Sequence, residues 1–215
     1  IVRAANDATQ ILRVTVGQSN AAMNNVEAYD LKVRYQFDLD AITGLLGFND
    51  IGSINVNFNA TKIDKWEYQK FATDEVSSPL GKRNRFLGEA PPLPELKANL
   101  QLSWVNGNHS VGVNAQYIDE IEYDGYNWGS SFFNQFPYFT GFDISERDTL
   151  RASTIADVTY NYRGLEVMGA DVDLTFGARN VFDRMPQRVN DFAGMESVLY
   201  SARGRMFYGR MTMEF

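Results

Sequence analysis

Residues suited to catalysis or metal binding are scarce in this 215-residue chain, which has one histidine and no cysteine. A catalytic triad needs an imidazole with partners, and a histidine- or thiolate-based metal site needs several such ligands. The single histidine, His109, follows Asn108 at a predicted short turn, where we expect it to be exposed. The sequence therefore predicts neither an enzyme nor a metal or cofactor site.

Other chemistries also lack support. The carboxylates Asp119, Glu120, Glu122 and Asp124 lie close together but do not have the spacing of an EF-hand calcium loop. No glycine-rich loop follows a strand and opens a helix, so no phosphate cradle for nucleotides is predicted. The net charge of −7 gives no basic surface for nucleic acid.

Aromatic residues in the long aperiodic stretch Asp119–Leu150 are the strongest candidates for ligand binding. Disordered segments are poor in aromatic residues, so a packed loop is expected there. The rings can stack on a ligand or pack against one another, and the sequence leaves both open. The candidates for stacking on a ligand are Tyr126, Trp128, Phe132, Phe133 and Tyr138.

Charged residues in two other loops have simpler interpretations. Arg83 and Arg85 are available to steer an anionic ligand, but solvated loop charge is the favoured interpretation. We expect Asp183 and Arg184 to meet a second arginine cluster across their loop and to position structure, not to perform chemistry. That cluster consists of Arg203 and Arg205.

Between these loops lie segments in which apolar and polar residues alternate. A period of two is typical of β-strands. Val26–Leu39 is the clearest case, with apolar residues on one side and mostly polar or charged residues on the other. Asn106-Gly107-Asn108 predicts a hairpin turn, and Ile42–Gly47 allows one helical turn. Eight strands are predicted, and the fold class is all-β: Gln10–Gly17, Val26–Leu39, Ser53–Thr61, Leu96–Trp104, Ser110–Tyr117, Thr154–Tyr162, Val172–Phe182 and Arg205–Phe215.

The lengths of the connections favour a membrane barrel. Three of the four connections at one end are long, namely Thr73–Pro94, Asp119–Leu150 and Asp183–Arg203, whereas those at the other end are shorter. Long extracellular loops and short periplasmic turns are typical of transmembrane up-and-down barrels. Aromatic residues near strand ends and faces rich in Asn, Gln, Ser and Thr agree with lipid outside and a hydrated lumen inside. Alternation alone also fits a soluble sandwich with its apolar face inward.

Two segments near the C-terminus carry motifs of a known family. Gly177–Pro186 (GARNVFDRMP) is similar to the G-x-x-N-[LV]-F-D-x-x-P motif of TonB-dependent outer-membrane receptors. Ser201–Tyr208 (SARGRMFY) is similar to P-R-G-R-x-[FY]-Y, with serine in place of proline. Val26–Phe37 and Pro94–Trp104 resemble two upstream strand motifs, although Tyr29 stands where glycine is usual.

The resemblance implies that residues 1–215 are the C-terminal portion of a 22-stranded transmembrane antiparallel β-barrel, about its last eight strands. The plug domain and the earlier strands would then lie outside this sequence. It implies residence in the outer membrane of a Gram-negative bacterium and import of a scarce nutrient, bound at the extracellular side, with energy delivered through TonB. The nutrient would be a siderophore, haem, cobalamin or an oligosaccharide, and TonB would contact the absent N-terminal region.

The sequence is also compatible with two alternative folds. A complete eight-stranded outer-membrane barrel would pair Gln10–Gly17 with Arg205–Phe215. A soluble β-sandwich that binds carbohydrate would bury the apolar sides of its strands.

The terminal strand has a second implied role. Its aromatic end resembles the signal that the barrel-assembly machinery reads, and this signal would comprise Phe207, Met211, Met213 and Phe215. The expected partners are therefore outer-membrane lipid, TonB, a small nutrient ligand and the assembly machinery, with no nucleic acid.

Overall fold

The structure is a computed structural model of the chain. It describes residues 2–4, 7–13, 22–39, 51–83, 91–122, 149–188 and 194–214. Regular secondary structure in these residues is entirely β-strand, which confirms the all-β prediction. Across the same residues, no helix has the length and apolar character needed to cross a membrane. The helical turn allowed at Ile42–Gly47 lies outside the described residues.

The strands are numbered β1 to β11 in chain order. Their bounds are β1 Val2–Ala4, β2 Asp7–Arg13, β3 Met23–Asp38, β4 Ser53–Gln69, β5 Leu96–Asn106, β6 His109–Ile118, β7 Ile121–Glu122, β8 Thr149–Leu150, β9 Ser153–Val167, β10 Ala170–Arg179 and β11 Met206–Glu214. At 16 and 17 residues, β3 and β4 are far longer than the ~5–6 residues of a usual strand.

Seven strands form one antiparallel sheet in the order β11-β10-β9-β6-β5-β4-β3. β1 pairs with β2, and β7 pairs with β8, in two separate two-stranded sheets. The large sheet follows an up-and-down path, and its strands coincide with the last seven predicted strands. The first predicted strand, Gln10–Gly17, overlaps β2, which pairs with β1 and not with β11. Among the described strands, β3 and β11 each have a single neighbour.

The register separates an apolar face from a polar face, because cross-strand partners share a face. One complete row on the apolar face is Tyr35, Val56, Leu102, Val113, Val158, Ala178 and Phe207. The next row on the polar face is Gln36, Asn55, Ser103, Gly112, Thr159, Gly177 and Tyr208. The alternation predicted strand by strand is therefore continuous across all seven strands.

The apolar face leaves large side chains uncovered. Tyr35 is 64% exposed, Phe176 55% and Phe207 73%. Fully burying a side chain of this kind is worth about 1.5–3 kcal/mol, and a β-sandwich gains it by packing a second sheet on the face. The described residues provide no second sheet of that size.

β3 and β4 extend beyond the rest of the sheet as a two-stranded arm. β5 follows β4 only to Lys62, which pairs with Leu96, whereas the β3–β4 pairing continues to Met23 opposite Gln69. A register shift between Glu27 and Ala28 marks the base of this arm. A bulge of this kind bends a strand and changes which side chains share a face.

The apolar band ends at this bulge. On β3 the apolar-face residues run from Phe37 to Tyr29, and the next two positions on that side are Glu27 and Asn25. Asn25 Nδ2 donates to Glu67 Oε2 at 3.3 Å, so the side becomes polar on both strands of the arm. The band spans eight residue steps on β3, or roughly 26 Å at about 3.3 Å per residue.

Two connections at the opposite end are tight hairpins. Gly107 occupies the β5–β6 turn with φ of 53°, which confirms the predicted turn. Met168 and Gly169 form the β9–β10 turn with φ of 53° and 84°. Positive φ values of this kind match the twist of antiparallel strands. We call this the turn end, and the end with the β4–β5, β6–β9 and β10–β11 connections the loop end.

A tyrosine ring on the polar face fills the space above a glycine. Tyr208 on β11 lies directly over its partner Gly177 on β10, where an added Cβ would overlap the ring. Its hydroxyl reaches across β10 to Thr159 Oγ1 on β9 at 2.9 Å. Covering a strand glycine with an aromatic ring locks register, so Tyr208 ties β11 to two strands.

Gly177→Ala should therefore destabilise the protein by about 2 kcal/mol, because the new methyl group displaces the Tyr208 ring and costs the Thr159 hydrogen bond. Gly112 is the matched control, since it lies in the same cross-strand row and has open space at its Cβ position. Gly112→Ala should change the unfolding free energy by less than about 0.5 kcal/mol. Thermal unfolding of both variants checks the difference, and equal effects would contradict the fit.

Candidate functional site

Two connections at the loop end, β4–β5 and β6–β9, join into a hydrogen-bonded strip. Lys82 bridges to Leu93 in the antiparallel sense and to Glu122 in the parallel sense. Glu122 N donates to Gly81 O at 2.6 Å, and Arg83 N donates to Glu122 O at 3.1 Å. β7 and β8 continue the strip. We call it, together with residues 194–200 that pack on it, the loop layer.

A buried apolar cluster anchors the loop layer to the sheet. It consists of Ile121, Leu150 and Tyr200, with Ile118 and Leu199 packed against them. Ile118 pairs with Lys97 and Ser153 on the polar face. The loop layer therefore meets the sheet on its polar-face side.

Within the loop layer, a buried ion pair joins the β4–β5 connection to the segment 194–200. Arg83 Nε donates to Glu196 Oε2, and the two residues are only 6% and 3% exposed. Glu196 Oε1 also accepts a hydrogen bond from Val198 N at 2.8 Å. The interpretation of Arg83 as a solvated surface charge is wrong, because its guanidinium is enclosed with a carboxylate partner. Arg85 lies outside the described residues.

A cavity of about 360 Å³ opens beside the loop layer, where β8 and the start of β9 meet the segment that follows β10. This volume is near the lower end of the range of small-molecule sites. Its polar lining residues are Arg151, Ser153, Thr154, Arg184, Gln187 and Tyr200. All six carry hydrogen-bond donors and none carries a carboxylate, so the lining favours a ligand rich in acceptors.

Tyr200 lines this cavity and carries an unusual buried hydroxyl. The residue is 9% exposed, and its Oη has no hydrogen-bond partner among the described residues. Burial raises the pKa of the Tyr200 phenol above its ordinary value, and the nearby Glu196 carboxylate adds to the rise. The hydroxyl therefore stays protonated at neutral pH and remains able to donate.

The cavity walls are fixed to each other through Gln187. Its Nε2 donates to Thr149 O at 3.1 Å, and its Oε1 accepts from Arg151 N at 3.3 Å. One side-chain amide thus ties the segment after β10 to the strand β8 and the residue that follows it.

Asn180 forms a clasp at the end of β10. Its Nδ2 donates to Arg184 O at 2.8 Å and to Arg203 O at 3.1 Å, and its Oδ1 accepts from Arg184 N at 2.8 Å. Its backbone N donates to Asp157 Oδ1 at 2.8 Å, and its φ is 49°. Asparagine tolerates this left-handed conformation better than most residues. The clasp holds both backbone groups of Arg184 beside the cavity.

The expected meeting of Asp183 with the second arginine cluster occurs, but through the backbone. Asp183 Oδ1 accepts a hydrogen bond from Arg205 N at 2.7 Å. Arg205 Nη1 donates to Val181 O at 3.3 Å. A Cβ on Gly204 would come within 2.8 Å of the Asp183 carboxylate, so glycine makes room for this contact. The two motif segments thus position each other.

The predicted site residues fall into two groups. Phe207, Met211 and Met213 lie on β11, where each side chain is exposed. The candidates for stacking on a ligand, Tyr126, Trp128, Phe132, Phe133 and Tyr138, lie outside the described residues, as does Phe215.

His109 is exposed, as expected, but it is not isolated. Its Nδ1 lies 2.7 Å from Tyr160 Oη, and its ring packs edge-on against Tyr162 at 4.9 Å between centroids. The described residues contain no group of three histidine, aspartate or glutamate side chains that could hold a metal ion.

Amides link neighbouring strands across the polar face. Asn99 Nδ2 donates to Asn114 Oδ1 at 2.9 Å, and Asn57 Nδ2 donates to Gln101 Oε1 at 3.2 Å. Asparagine is unfavourable in ordinary strands, and here its side chains pair with one another. This face is therefore a polar wall below the loop layer.

Sequence reasoning did not identify four residues of this site, namely Arg151, Gln187, Glu196 and Tyr200. Each comes from an aperiodic loop, and each meets partners that are far away in sequence. No spacing rule connects Arg83 with Glu196, which are 113 positions apart. The one usable signal was the motif Gly177–Pro186, which contains both Asn180 and Arg184.

No protein-family model, no curated protein and no solved structure matches this chain. Its function is therefore inferred from the geometry and the residue chemistry above.

Proposed function

We propose that this chain forms part of the wall of an outer-membrane transporter, in which the apolar face contacts lipid and the polar face lines a hydrated lumen. The observation that carries the proposal is the apolar face, which is continuous over seven strands and leaves Tyr35 and Phe207 uncovered. Lipid supplies the apolar cover that a soluble protein would need from a second sheet.

The ends of the apolar band support this placement. Near the turn end, Trp104 Nε1 donates to Ile51 O at 2.8 Å, and the Tyr160 hydroxyl contacts His109. Near the loop end, Tyr117 Oη donates to Asp119 Oδ1 at 2.9 Å. Rings on the apolar band with polar tips at its margins are typical of residues at a membrane–water interface.

The bulge at the base of the β3–β4 arm supports a boundary at Tyr29. Beyond it the side that faces lipid in this proposal carries Glu27 and the Lys65–Glu67 ion pair, with 2.9 Å between charged atoms. Charged groups are costly in a bilayer and favourable in water. The arm therefore projects into the aqueous phase.

The strand pairing supports a barrel larger than eight strands. A closed eight-stranded barrel would pair the first predicted strand with β11, whereas β2 pairs with β1. In the proposed assembly, other strands complete the barrel beside β3 and β11. A plug contacted by TonB, uptake of a scarce nutrient through the loop end, and recognition of β11 by the assembly machinery complete the proposal.

Spin labels at single cysteines in β3 test the proposal, because the chain has no cysteine of its own. Labels at Leu31 and Val33 should be accessible to oxygen and protected from a water-soluble nickel chelate in outer-membrane vesicles. Labels at Lys32 and Arg34 should show the reverse. The expected pattern follows from the strand period of two and the opposite polarity of the two faces.

A label at Glu27 is the matched control for the boundary, since it lies on the same side as Leu31 but beyond the bulge. It should be accessible to the nickel chelate. If the labels at Leu31 and Val33 are protected from both reagents, the face is covered by protein and the membrane placement is wrong.

A further inference from the structure

We propose that the cavity beside the loop layer binds an oxyanion group of a small ligand, a carboxylate or a phosphate, through Arg151, Arg184 and the hydroxyl of Tyr200. The inference deepens the proposed function by naming a chemical class of ligand, and it rests on that function only for the role of the ligand as transported cargo.

The first support is the charge of the lining. Two arginines, Arg151 and Arg184, line one cavity. Arginine presents several N–H donors in a planar fork that matches carboxylate and phosphate oxygens. Two acidic residues of the clasp and loop layer are already engaged, since Glu196 binds Arg83 and Asp183 accepts from Arg205 N.

The second support is the Tyr200 hydroxyl, which is buried, protonated and without a partner in the described part of the chain. Buried donors are nearly always satisfied in folded proteins, and an exception calls for an explanation. A ligand oxygen in the cavity supplies the missing acceptor. A cavity lined by donors also has room for such an oxygen, at about 360 Å³.

The third support is preorganisation. Asn180 fixes both backbone groups of Arg184, and Gln187 fixes the backbone N–H of Arg151. Tyr200 is held by the apolar cluster and by its N–H, which donates to Glu196 O at 3.3 Å. Because these three backbone positions are already anchored, binding has to order only the side chains, which favours affinity.

Calorimetric titration of the purified protein with inorganic phosphate and with succinate, at constant ionic strength, tests the site. At least one anion should bind, and the preferred anion assigns phosphate or carboxylate chemistry. Arg184→Ala and Arg151→Ala should each weaken binding about tenfold or more, as expected for loss of a charge-assisted hydrogen bond. Arg188→Ala is the matched control, because Arg188 is exposed on the same segment and does not line the cavity.

Tyr200→Phe separates a binding role from a structural one. It removes a hydroxyl that has no partner among the described residues, so the Tm without ligand should stay the same or rise. Affinity for the anion should fall about threefold to tenfold. A structural role would move the two readouts in the same direction.

Binding of neither anion by the wild-type protein would overturn the proposal, as would an equal loss in the Arg184→Ala and Arg188→Ala variants. Unchanged affinity in Tyr200→Phe would also overturn it. These titrations do not depend on membrane placement. If anion binding fails while labels at Leu31 and Val33 still face lipid, only this inference fails.

Discussion

Replacing Glu196 with alanine is expected to destabilise the loop layer by about 3–5 kcal/mol, because the Arg83 guanidinium stays buried and loses its carboxylate. Arg83 is only 6% exposed, so water cannot replace the lost partner without opening the layer. The variant also loses the hydrogen bond from Val198 N to the side chain. Faster hydrogen exchange at residues 81–83 and 121–122 should report the opening.

Glu67→Ala is the control for this prediction, since it breaks the exposed pair between Lys65 and Glu67. Water screens exposed pairs, so hydrogen exchange in the loop layer should not change. Replacing both Arg83 and Glu196 with apolar residues of similar size should recover most of the lost stability, because no buried charge remains. If Glu196→Ala behaves like Glu67→Ala, the buried pair does not hold the layer together.

The second large effect is expected at Asn180, where alanine should cost about 3 kcal/mol. The variant loses three side-chain hydrogen bonds to Arg184 and Arg203 at a position that is 5% exposed. It also places alanine at φ of 49°, which is unfavourable for a residue with a Cβ. The segment after β10 should come loose, and thermal unfolding with limited proteolysis between residues 181 and 188 should show it.

Asn180→Gly separates the two causes. Glycine accepts the left-handed backbone without strain but makes none of the side-chain hydrogen bonds. Its cost should therefore be about 1 kcal/mol smaller than that of alanine. If both variants retain wild-type resistance to proteolysis, the clasp does not hold this segment.

Much of the sheet could be predicted because its strands repeat one physical rule. Alternation located β3, β5, β6, β9, β10 and β11 to within a few residues at most ends. A sheet with one apolar and one polar face requires alternation with a period of two, whether the apolar face meets lipid or a protein core. The predicted hairpin at Gly107 followed from the need for positive φ in a two-residue turn.

The predicted ends of individual strands were wrong where the alternation is interrupted. β4 was expected to end at Thr61 and continues to Gln69, because the register shift near its partner Ala28 changes the phase of the alternation. β10 was expected to reach Phe182 and ends at Arg179. Val181 and Phe182 are apolar, but the left-handed backbone of Asn180 ends the strand before them.

The site was less predictable than the sheet because its residues lack a local rule. Arg83 looked like a surface charge, since nothing near it in sequence reveals that Glu196 is its partner. Tyr200 is a single aromatic residue in an aperiodic loop. Only the packing of three loops on one another turns these residues into a buried pair and a cavity wall.

The up-and-down path of the sheet has a consequence for the order of folding. The hairpins β5–β6 and β9–β10, with their tight turns, can form locally on a timescale of about microseconds. The bond between Arg83 and Glu196 joins residues 113 positions apart and closes the largest loop of the described site. Contacts with such sequence separation form late, since their closure entropy must be offset by structure already in place. We therefore expect the loop layer to form last during folding, after the strands beneath it have assembled.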